Sequence, residues 1–261
     1  SRPVVDYLVE DLVKAGIEEI IFVVDEHNKQ VLHYFQENTR LENNLQRLNK
    51  TAAYDLVKNL HTQAKFTFVK QTDQDPYGTA TPVNLAKKHV ENEEAFVVLM
   101  GDDIPYNADG SSEVAKMIAH LEKTGAKALA TFVEMPTDVL HMYGIAETTQ
   151  RDGTAYLTNL IEKPAPGTAP TNLANISKYI LTPDVFALID QQKIDDNSGE
   201  LYITDTVAAL AQTKDVAVYT PSGVYLDCGY PLGWLKANLT IAKNNPALRS
   251  ALSAYLKEIE F

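Results

Sequence analysis

The stretch Tyr225-Leu-Asp-Cys-Gly-Tyr-Pro-Leu-Gly-Trp-Leu-Lys-Ala-Asn238 places a carboxylate directly after a short apolar run. Two further stretches share this arrangement, Leu99-Met-Gly-Asp-Asp-Ile104 and Leu160-Ile-Glu-Lys-Pro164. Each puts a carboxylate or a lysine at the end of a predicted apolar strand. Because open α/β sheets bind ligands at the carboxyl ends of their strands, the three stretches predict an α/β protein with a ligand site at one edge of its sheet.

The rest of the chain alternates apolar strands with longer amphipathic helices, which is typical of a parallel sheet covered by helices. Helices are predicted at 3–15, 28–35, 39–60, 79–91, 112–123, 184–191, 202–211, 232–243 and 248–259. Strands are predicted at 19–24, 65–69, 95–100, 126–133, 144–149, 155–161, 175–181, 216–219 and 224–226. An Asp-Gly turn at 152–153 predicts a hairpin. We therefore expect a mostly parallel, Rossmann-like sheet with a small β-rich part, in one domain over residues 1–261.

The composition, with 45% hydrophobic and 22% charged residues, is typical of a globular protein. A net charge of −12 argues against a nucleic-acid-binding surface, which needs a basic stripe. It is compatible with a nucleotide ligand, because Mg²⁺ can bridge carboxylates to phosphates. The single cysteine, Cys228, excludes an internal disulfide and fits a reducing compartment. Since no apolar run approaches the ~18 residues of a membrane helix, we expect a cytoplasmic protein that binds neither nucleic acid nor membranes.

Two aspartates at strand ends are candidate metal ligands. Asp102 and Asp227 each follow an apolar strand, and carboxylates that are distant in sequence can meet on one ion. Mg²⁺ takes about six oxygen ligands at ~2.0–2.1 Å, one or two of them protein carboxylates. An aspartate at a strand end also caps a following helix, so the spacing alone leaves both interpretations open.

Other polar groups at strand ends suit a phosphorylated ligand. Lys163 follows Glu162 at the end of a strand, and a lysine ammonium binds phosphate as a compact charge. A solvated Glu-Lys pair is the alternative. Gln71 also ends a strand, seven residues before Gly78, and an amide side chain can recognise the edge of a pyrimidine.

Together these motifs resemble the UTP–glucose-1-phosphate uridylyltransferases, a bacterial branch of the sugar nucleotidyltransferases. The resemblance covers essentially the whole chain and includes Tyr143-Gly144 and Asn172-Leu-Ala174. It implies metal ligands at Asp102 and Asp227, sugar contacts at Gly144, Glu162, Lys163 and Asn172, and nucleotide contacts at Gln71 and Gly78. Asp103, beside the metal ligand, is a further candidate nucleotide contact, and the alternative is that it only orients its loop. Lys163 and Asp102 are the implied catalytic residues.

The implied reaction is Mg²⁺-dependent transfer from UTP to glucose 1-phosphate, which gives UDP-glucose and pyrophosphate. The resemblance also implies a homo-oligomer, a dimer or a tetramer. A non-catalytic sugar-nucleotide-binding or assembly subunit is the alternative. A glycosyltransferase with a carboxylate-bound metal is a third, and the Glu-Lys-Pro and Asp-Cys-Gly motifs argue against it.

The chain departs from the family pattern in two places. The family begins with a central strand and a Gly-x-Gly-x-Arg phosphate loop, and no such motif occurs here. We expect that segment to lie upstream, and residues 1–261 alone to make no UDP-glucose. The loop Thr72-Asp-Gln-Asp-Pro-Tyr77 is more acidic than the Gly-rich loop of the family, which leaves the choice between uridine and thymidine open.

Overall fold

The computed structural model describes residues 2–259. Its α-helices are α1 (Val4–Lys14), α2 (Gln30–Tyr34), α3 (Thr39–Arg47), α4 (Thr51–Asp55), α5 (Ala80–Leu85), α6 (Lys87–Val90), α7 (Glu113–Thr124), α8 (Asp184–Gln191), α9 (Ile203–Ala211), α10 (Pro231–Asn244) and α11 (Pro246–Glu258). Its strands are β1 (Glu19–Asp25), β2 (Lys65–Gln71), β3 (Phe96–Leu99), β4 (Asp103–Tyr106), β5 (Ala128–Glu134), β6 (Gly144–Arg151), β7 (Thr154–Glu162), β8 (Leu173–Leu181), β9 (Val216–Tyr219) and β10 (Val224–Asp227). None of the helices described is both long and apolar enough to cross a bilayer.

The strands form two small sheets and a larger one. β1 pairs with β2, β4 pairs with β10, and six strands pair in the order β3-β8-β5-β9-β7-β6. The α/β class is confirmed, with strand directions that are mixed rather than mostly parallel. β1 runs parallel to β2, and β5 to β9, whereas β8 is antiparallel to β3 and β5. The difference arises because β6, β7 and β8 follow one another without crossover helices, and parallel neighbours need such crossovers.

The β1–β2 sheet and the six-stranded sheet pack against each other through apolar side chains, without hydrogen bonds between their strands. Within residues 2–259, β1 pairs only with β2, and β3 pairs only with β8. Ile20 of β1 and Val97 and Leu99 of β3 nevertheless belong to one apolar cluster, together with Val9 of α1. Both sheets are therefore held in place by the same layer of helices.

The helix predicted at 39–60 is broken into α3, α4 and a short 3-10 turn. Asn49, between α3 and α4, has a φ of +52°, which interrupts helical geometry. The sequence at 39–60 offers a thin apolar stripe of four leucines, of which Leu45 is half-buried and the others are exposed: Leu41 by 40%, Leu48 by 47% and Leu56 by 71%. Because helices in proteins are stabilised mainly by packing of an apolar face, this thin stripe does not support one long helix.

The remaining predicted elements have observed counterparts, and one strand was missed. The helix predicted at 79–91 is interrupted by a turn at Ala86, which separates α5 from α6. The hairpin is confirmed: Asp152 and Gly153 have φ values of +50° and +78°, as its tight turn requires. The prediction missed β4, because its sequence Asp-Ile-Pro-Tyr contains two residue types that strands usually avoid.

A buried carboxylate connects the start of α7 to the segment between β9 and β10. Glu113 is fully buried, and it accepts hydrogen bonds from the Tyr219 hydroxyl, from Asn107 Nδ2 at 2.7 Å, and from the backbone amides of Ser222 and Gly223. Burial raises the pKa of Glu113, but the hydrogen bonds, of which that from Tyr219 has the largest effect, together lower the pKa by more than burial raises it. The net shift of the pKa is therefore downward. The segment that leads into β10 is thereby fixed to α7.

Replacing this carboxylate should destabilise the fold in a pH-dependent way. Because the pKa of Glu113 is lower in the folded state, its ionised form adds stability above the unfolded-state pKa. That contribution is lost as the pH falls through the folded-state pKa. We expect Glu113→Gln to lower the free energy of unfolding by about 2 kcal/mol at neutral pH, and by less in acid. Urea unfolding across pH tests this, with the exposed Glu122→Gln on the same helix as control. A pH-independent difference would contradict the assignment.

Candidate active site

The carboxylates of Asp102 and Asp227 border the same small space. Asp227 ends β10 and pairs in register with Asp103, so Asp102 lies at the same end of this two-stranded ladder. A β-carbon placed on Gly229 would lie 3.1 Å from Asp102 Oδ2 and 3.3 Å from Asp227 Oδ1. The Cys228 amide donates to the Asp102 carbonyl oxygen at 2.8 Å, which joins the two turns. The structure therefore brings together two aspartates that are 125 residues apart in sequence.

This pair of carboxylates fits a divalent cation. Carboxylate oxygens are hard ligands that suit Mg²⁺ and Mn²⁺. The Asp102 side chain has no hydrogen-bond partner among residues 2–259, and the glycine at 229 leaves space where any larger residue would crowd both carboxylates. The carboxylate oxygens and the open space beside them both meet the requirements of such an ion.

Tyr143 connects these aspartates to a second group of polar residues. Its hydroxyl donates to Asp227 Oδ2 at 3.4 Å, and its carbonyl oxygen accepts from the Lys163 amide at 3.0 Å. Burial, followed by the charge of Asp227, raises the pKa of Tyr143 to about 12, so the hydroxyl stays a donor at neutral pH. One tyrosine thus fixes the β10 turn relative to the end of β7.

Glu162 and Lys163 form the second group, at the end of β7. Glu162 is paired in register with Gly144, and it accepts a hydrogen bond from the Thr204 hydroxyl at 2.8 Å. A β-carbon on Gly144 would lie 3.1 Å from Glu162 Oε2, so the glycine leaves room for this carboxylate. Lys163 is exposed, with its Nζ 3.8 Å from Glu162 Oε1 and 5.0 Å from the centre of the Tyr202 ring.

The charges of this pair are set by burial and by each other. Burial raises the pKa of Glu162, and the Thr204 hydrogen bond only partly opposes the rise. Burial is the largest influence on the pKa of Lys163 and lowers it, but the charge of Glu162 and the smaller effects of Tyr202 and Glu200 together raise it by more, so the net shift is upward. Lys163 therefore presents a permanently charged ammonium to solvent, where an anionic ligand can reach it.

Asp103, a predicted nucleotide contact, points into the protein. Its carboxylate is buried, forms an ion pair with the buried ammonium of Lys178, and accepts a hydrogen bond from the Tyr225 hydroxyl at 3.2 Å. Burial raises the pKa of Asp103 to about 6, although the Lys178 charge opposes the rise. Lys178 was not identified from the sequence, because a lysine within an apolar strand does not reveal which distant carboxylate it pairs with.

Gln71 and Gly78 flank a loop at the carboxyl end of β2. Gln71 pairs with Asp25, and its carbonyl oxygen accepts from the Glu26 amide at 2.9 Å. Gly78 has a φ of +132°, and a β-carbon there would lie 2.3 Å from the Leu201 amide nitrogen. The glycine is therefore required by close backbone packing, whatever ligand the loop binds. Its predicted nucleotide contact stays a prediction.

Asn172 is exposed directly before β8, and its carbonyl oxygen accepts from the Met135 amide at 3.0 Å. Its predicted sugar contact likewise stays a prediction.

A cluster of potential metal-ligating side chains, which the sequence analysis did not identify, lies near Gln71. Glu26, His27 and Asp73 each offer one potential metal-ligand atom, and these three atoms lie within 4.8 Å of one another. They come from two different loops, which is why no spacing in the sequence indicated them.

The chain belongs to the nucleotidyl transferase family, whose sequence model matches residues 1–244. Within that family it is 31% identical to the UTP–glucose-1-phosphate uridylyltransferase of Staphylococcus haemolyticus, over all of this chain and 88% of the relative. It is 30% identical to the enzyme of the same name from Bacillus subtilis, over 98% of this chain and 86% of the relative. The resemblance inferred from the sequence motifs is confirmed.

Solved structures agree with this assignment. A UDP-glucose pyrophosphorylase from Acinetobacter baumannii superposes with a TM-score of 0.84 at 28% identity, covering all of this chain and 89% of that protein. A UDP-glucose pyrophosphorylase in complex with UDP-glucose gives a TM-score of 0.80 at 27% identity, over 94% of this chain and 88% of that protein.

A methyl group between the two aspartates should interfere with cation binding. Gly229→Ala would press against both carboxylates, so we expect Mn²⁺ affinity to fall by about tenfold, as is usual when ligands are displaced. Mn²⁺ titration followed by electron paramagnetic resonance measures this. Gly101→Ala is the matched control, because a β-carbon on Gly101 has nothing within 4 Å. Equal effects of the two substitutions would contradict the proposed position of the cation.

Proposed function

We propose that this chain transfers the uridylyl group of UTP to glucose 1-phosphate, giving UDP-glucose and pyrophosphate. The observation that carries the proposal is the connection made by Tyr143. It joins the Asp102–Asp227 pair to the Glu162–Lys163 pair through one residue, because its hydroxyl bonds Asp227 and its carbonyl oxygen bonds the Lys163 amide. The named relatives, which align with 98% or more of the chain, support this choice of reaction.

In this reaction an oxygen of the sugar phosphate attacks the α-phosphorus of UTP, and the bond from that phosphorus to pyrophosphate breaks. No residue needs to form a covalent bond, so catalysis rests on positioning and on charge. Asp102 and Asp227 would hold the divalent cation, which we propose is Mg²⁺ and which neutralises phosphate charge when bound. Lys163 would hold the sugar phosphate and offset its charge during attack.

The remaining residues would orient the two substrates. Glu162 would accept hydrogen bonds from the hexose hydroxyls, with its carboxylate directed by Thr204. Gly144 would let the backbone approach the sugar closely. Gln71, at the carboxyl end of β2, would contact the base. Asn172, at the start of β8, would complete the sugar site.

Removal of the Lys163 charge should reduce turnover strongly and leave the fold intact. One preorganised charge contact with a transferring group is worth about 2.7–4 kcal/mol, or two to three decades in rate. We therefore expect Lys163→Ala, in the protein as its gene encodes it, to release pyrophosphate from UTP and glucose 1-phosphate roughly a hundredfold to a thousandfold more slowly.

The control for this experiment is Lys193→Ala, which removes a lysine from a loop between α8 and α9. It should keep normal turnover, and both variants should keep the melting temperature of the unmodified protein. Near-normal turnover of Lys163→Ala would disprove its role. Tight UDP-glucose binding by an unmodified protein that releases no pyrophosphate would instead indicate a sugar-nucleotide-binding protein without catalysis.

Neutralising either aspartate should remove the dependence on the cation. We expect Asp102→Asn and Asp227→Asn each to weaken Mn²⁺ binding by at least tenfold, with UDP-glucose binding then insensitive to added Mg²⁺. Calorimetric titration with and without Mg²⁺ provides the measurement. If both variants kept full Mg²⁺-dependent binding, the cation would have to lie elsewhere.

A further inference from the structure

A single buried lysine holds both ends of the turn that carries Asp102. Lys178 is 1% exposed, and its Nζ donates to the carbonyl oxygen of Met100 at 2.9 Å and to the carboxylate of Asp103. The turn is further held by the Met100 amide, which donates to the Ser177 carbonyl oxygen at 3.3 Å. Asp102 lies between these two anchored residues.

The strand that carries Lys178 is deformed at this point. The pairing of β8 with β5 shifts at a bulge between Ala130 and Phe132, opposite Asn175 and Tyr179. Bulges of this kind redirect side chains and are frequent beside active sites. Ser177, inside the bulge, has a φ of +51°, which a residue with a side chain rarely adopts.

Local hydrogen bonds hold this strained backbone in place. The Ser177 amide donates to Asn175 Oδ1 at 3.0 Å, and the Lys178 carbonyl oxygen accepts from the Thr131 hydroxyl at 2.9 Å. Strained residues persist only when their surroundings over-determine them. The bulge therefore fixes the direction in which the side chain of Lys178 extends from β8.

The two aspartates beside the cation site are held in different ways. The Asp227 carboxylate accepts hydrogen bonds from the Gly229 amide at 2.9 Å and from Tyr143. The Asp102 carboxylate has no such partner within residues 2–259, so its direction depends on the backbone of its turn. A buried ion pair contributes little net stability compared with apolar residues of the same volume, so net stability does not account for this pair.

We propose that Lys178 is a positioning residue that directs the Asp102 carboxylate toward Asp227 by closing the turn from Met100 to Asp103. The inference rests on the proposed cation site. Within residues 2–259, the Lys178 ammonium contacts Met100 and Asp103, and it acts through these two residues. Tyr225, which donates to the other oxygen of Asp103, supports the same carboxylate from β10.

The test replaces the ion pair by neutral groups of similar size. The double variant Lys178→Met/Asp103→Asn avoids leaving one buried charge without its partner. We expect its Mn²⁺ affinity, measured by electron paramagnetic resonance, to fall by about 10- to 100-fold, the usual effect of removing a partner that orients a metal ligand. Its cation-independent binding of UDP-glucose should stay unchanged, which a general loosening of the site would not allow.

Lys116→Met is the matched control. Lys116 lies beside the buried carboxylate of Glu113, toward the opposite end of the β4–β10 ladder, and donates to Asn107 and Ser222. It should keep normal Mn²⁺ affinity.

The outcomes separate this inference from the proposed function. If Asp102→Asn weakens Mn²⁺ binding while the folded double variant binds normally, the cation site stands and the role of Lys178 is overturned. If Asp102→Asn has no effect, the cation site and this inference both fail. If the double variant does not fold, Lys178→Gln decides, because it removes the ammonium alone: it should weaken Mn²⁺ binding by about tenfold, and unchanged affinity in the folded variant would overturn the role.

Discussion

The candidate site depends on the pairing of β4 with β10. These short strands lie about 120 residues apart in the chain, and their register sets Asp103 opposite Asp227. That register brings the exposed Asp102 beside Asp227, with Gly229 leaving space between the two carboxylates. A slip of one residue would turn every side chain to the other face of the ladder. The rest of the site is arranged around this constraint.

The balance of charge at the candidate site favours the binding of a cation. Within residues 2–259, the charged groups of the candidate site are the carboxylates of the exposed Asp102 and of the half-buried Asp227 and Glu162, and the exposed ammonium of Lys163. The second nearby ammonium, that of Lys178, is buried on Asp103 and unavailable to a ligand. A polyphosphate would be repelled by these carboxylates, unless a divalent ion is bound between them. The chain as a whole, at net charge −12, adds to that repulsion.

The hydrophobic pattern predicted the helices and strands well where burial is strong. α8 and β9 have the predicted bounds, because their apolar residues pack in the main core. The prediction failed where burial is weak, as in the exposed leucines at 39–60, and where a strand forms from unfavourable residues, as in β4. It also overestimated parallel pairing, since the pattern along a strand contains no information about the direction of its neighbour.

The sequence by itself determined the family, the α/β class, and the residue types at the ends of β7 and β10, because these depend on local patterns and short motifs. Only the tertiary structure decided which of those residues meet. It showed Asp102 beside Asp227, turned Asp103 inward onto Lys178, and assigned Gly78 a packing role against Leu201. Such contacts join segments that are tens of residues or more apart, and they are set by strand register and by burial. No local pattern of side chains encodes these distances.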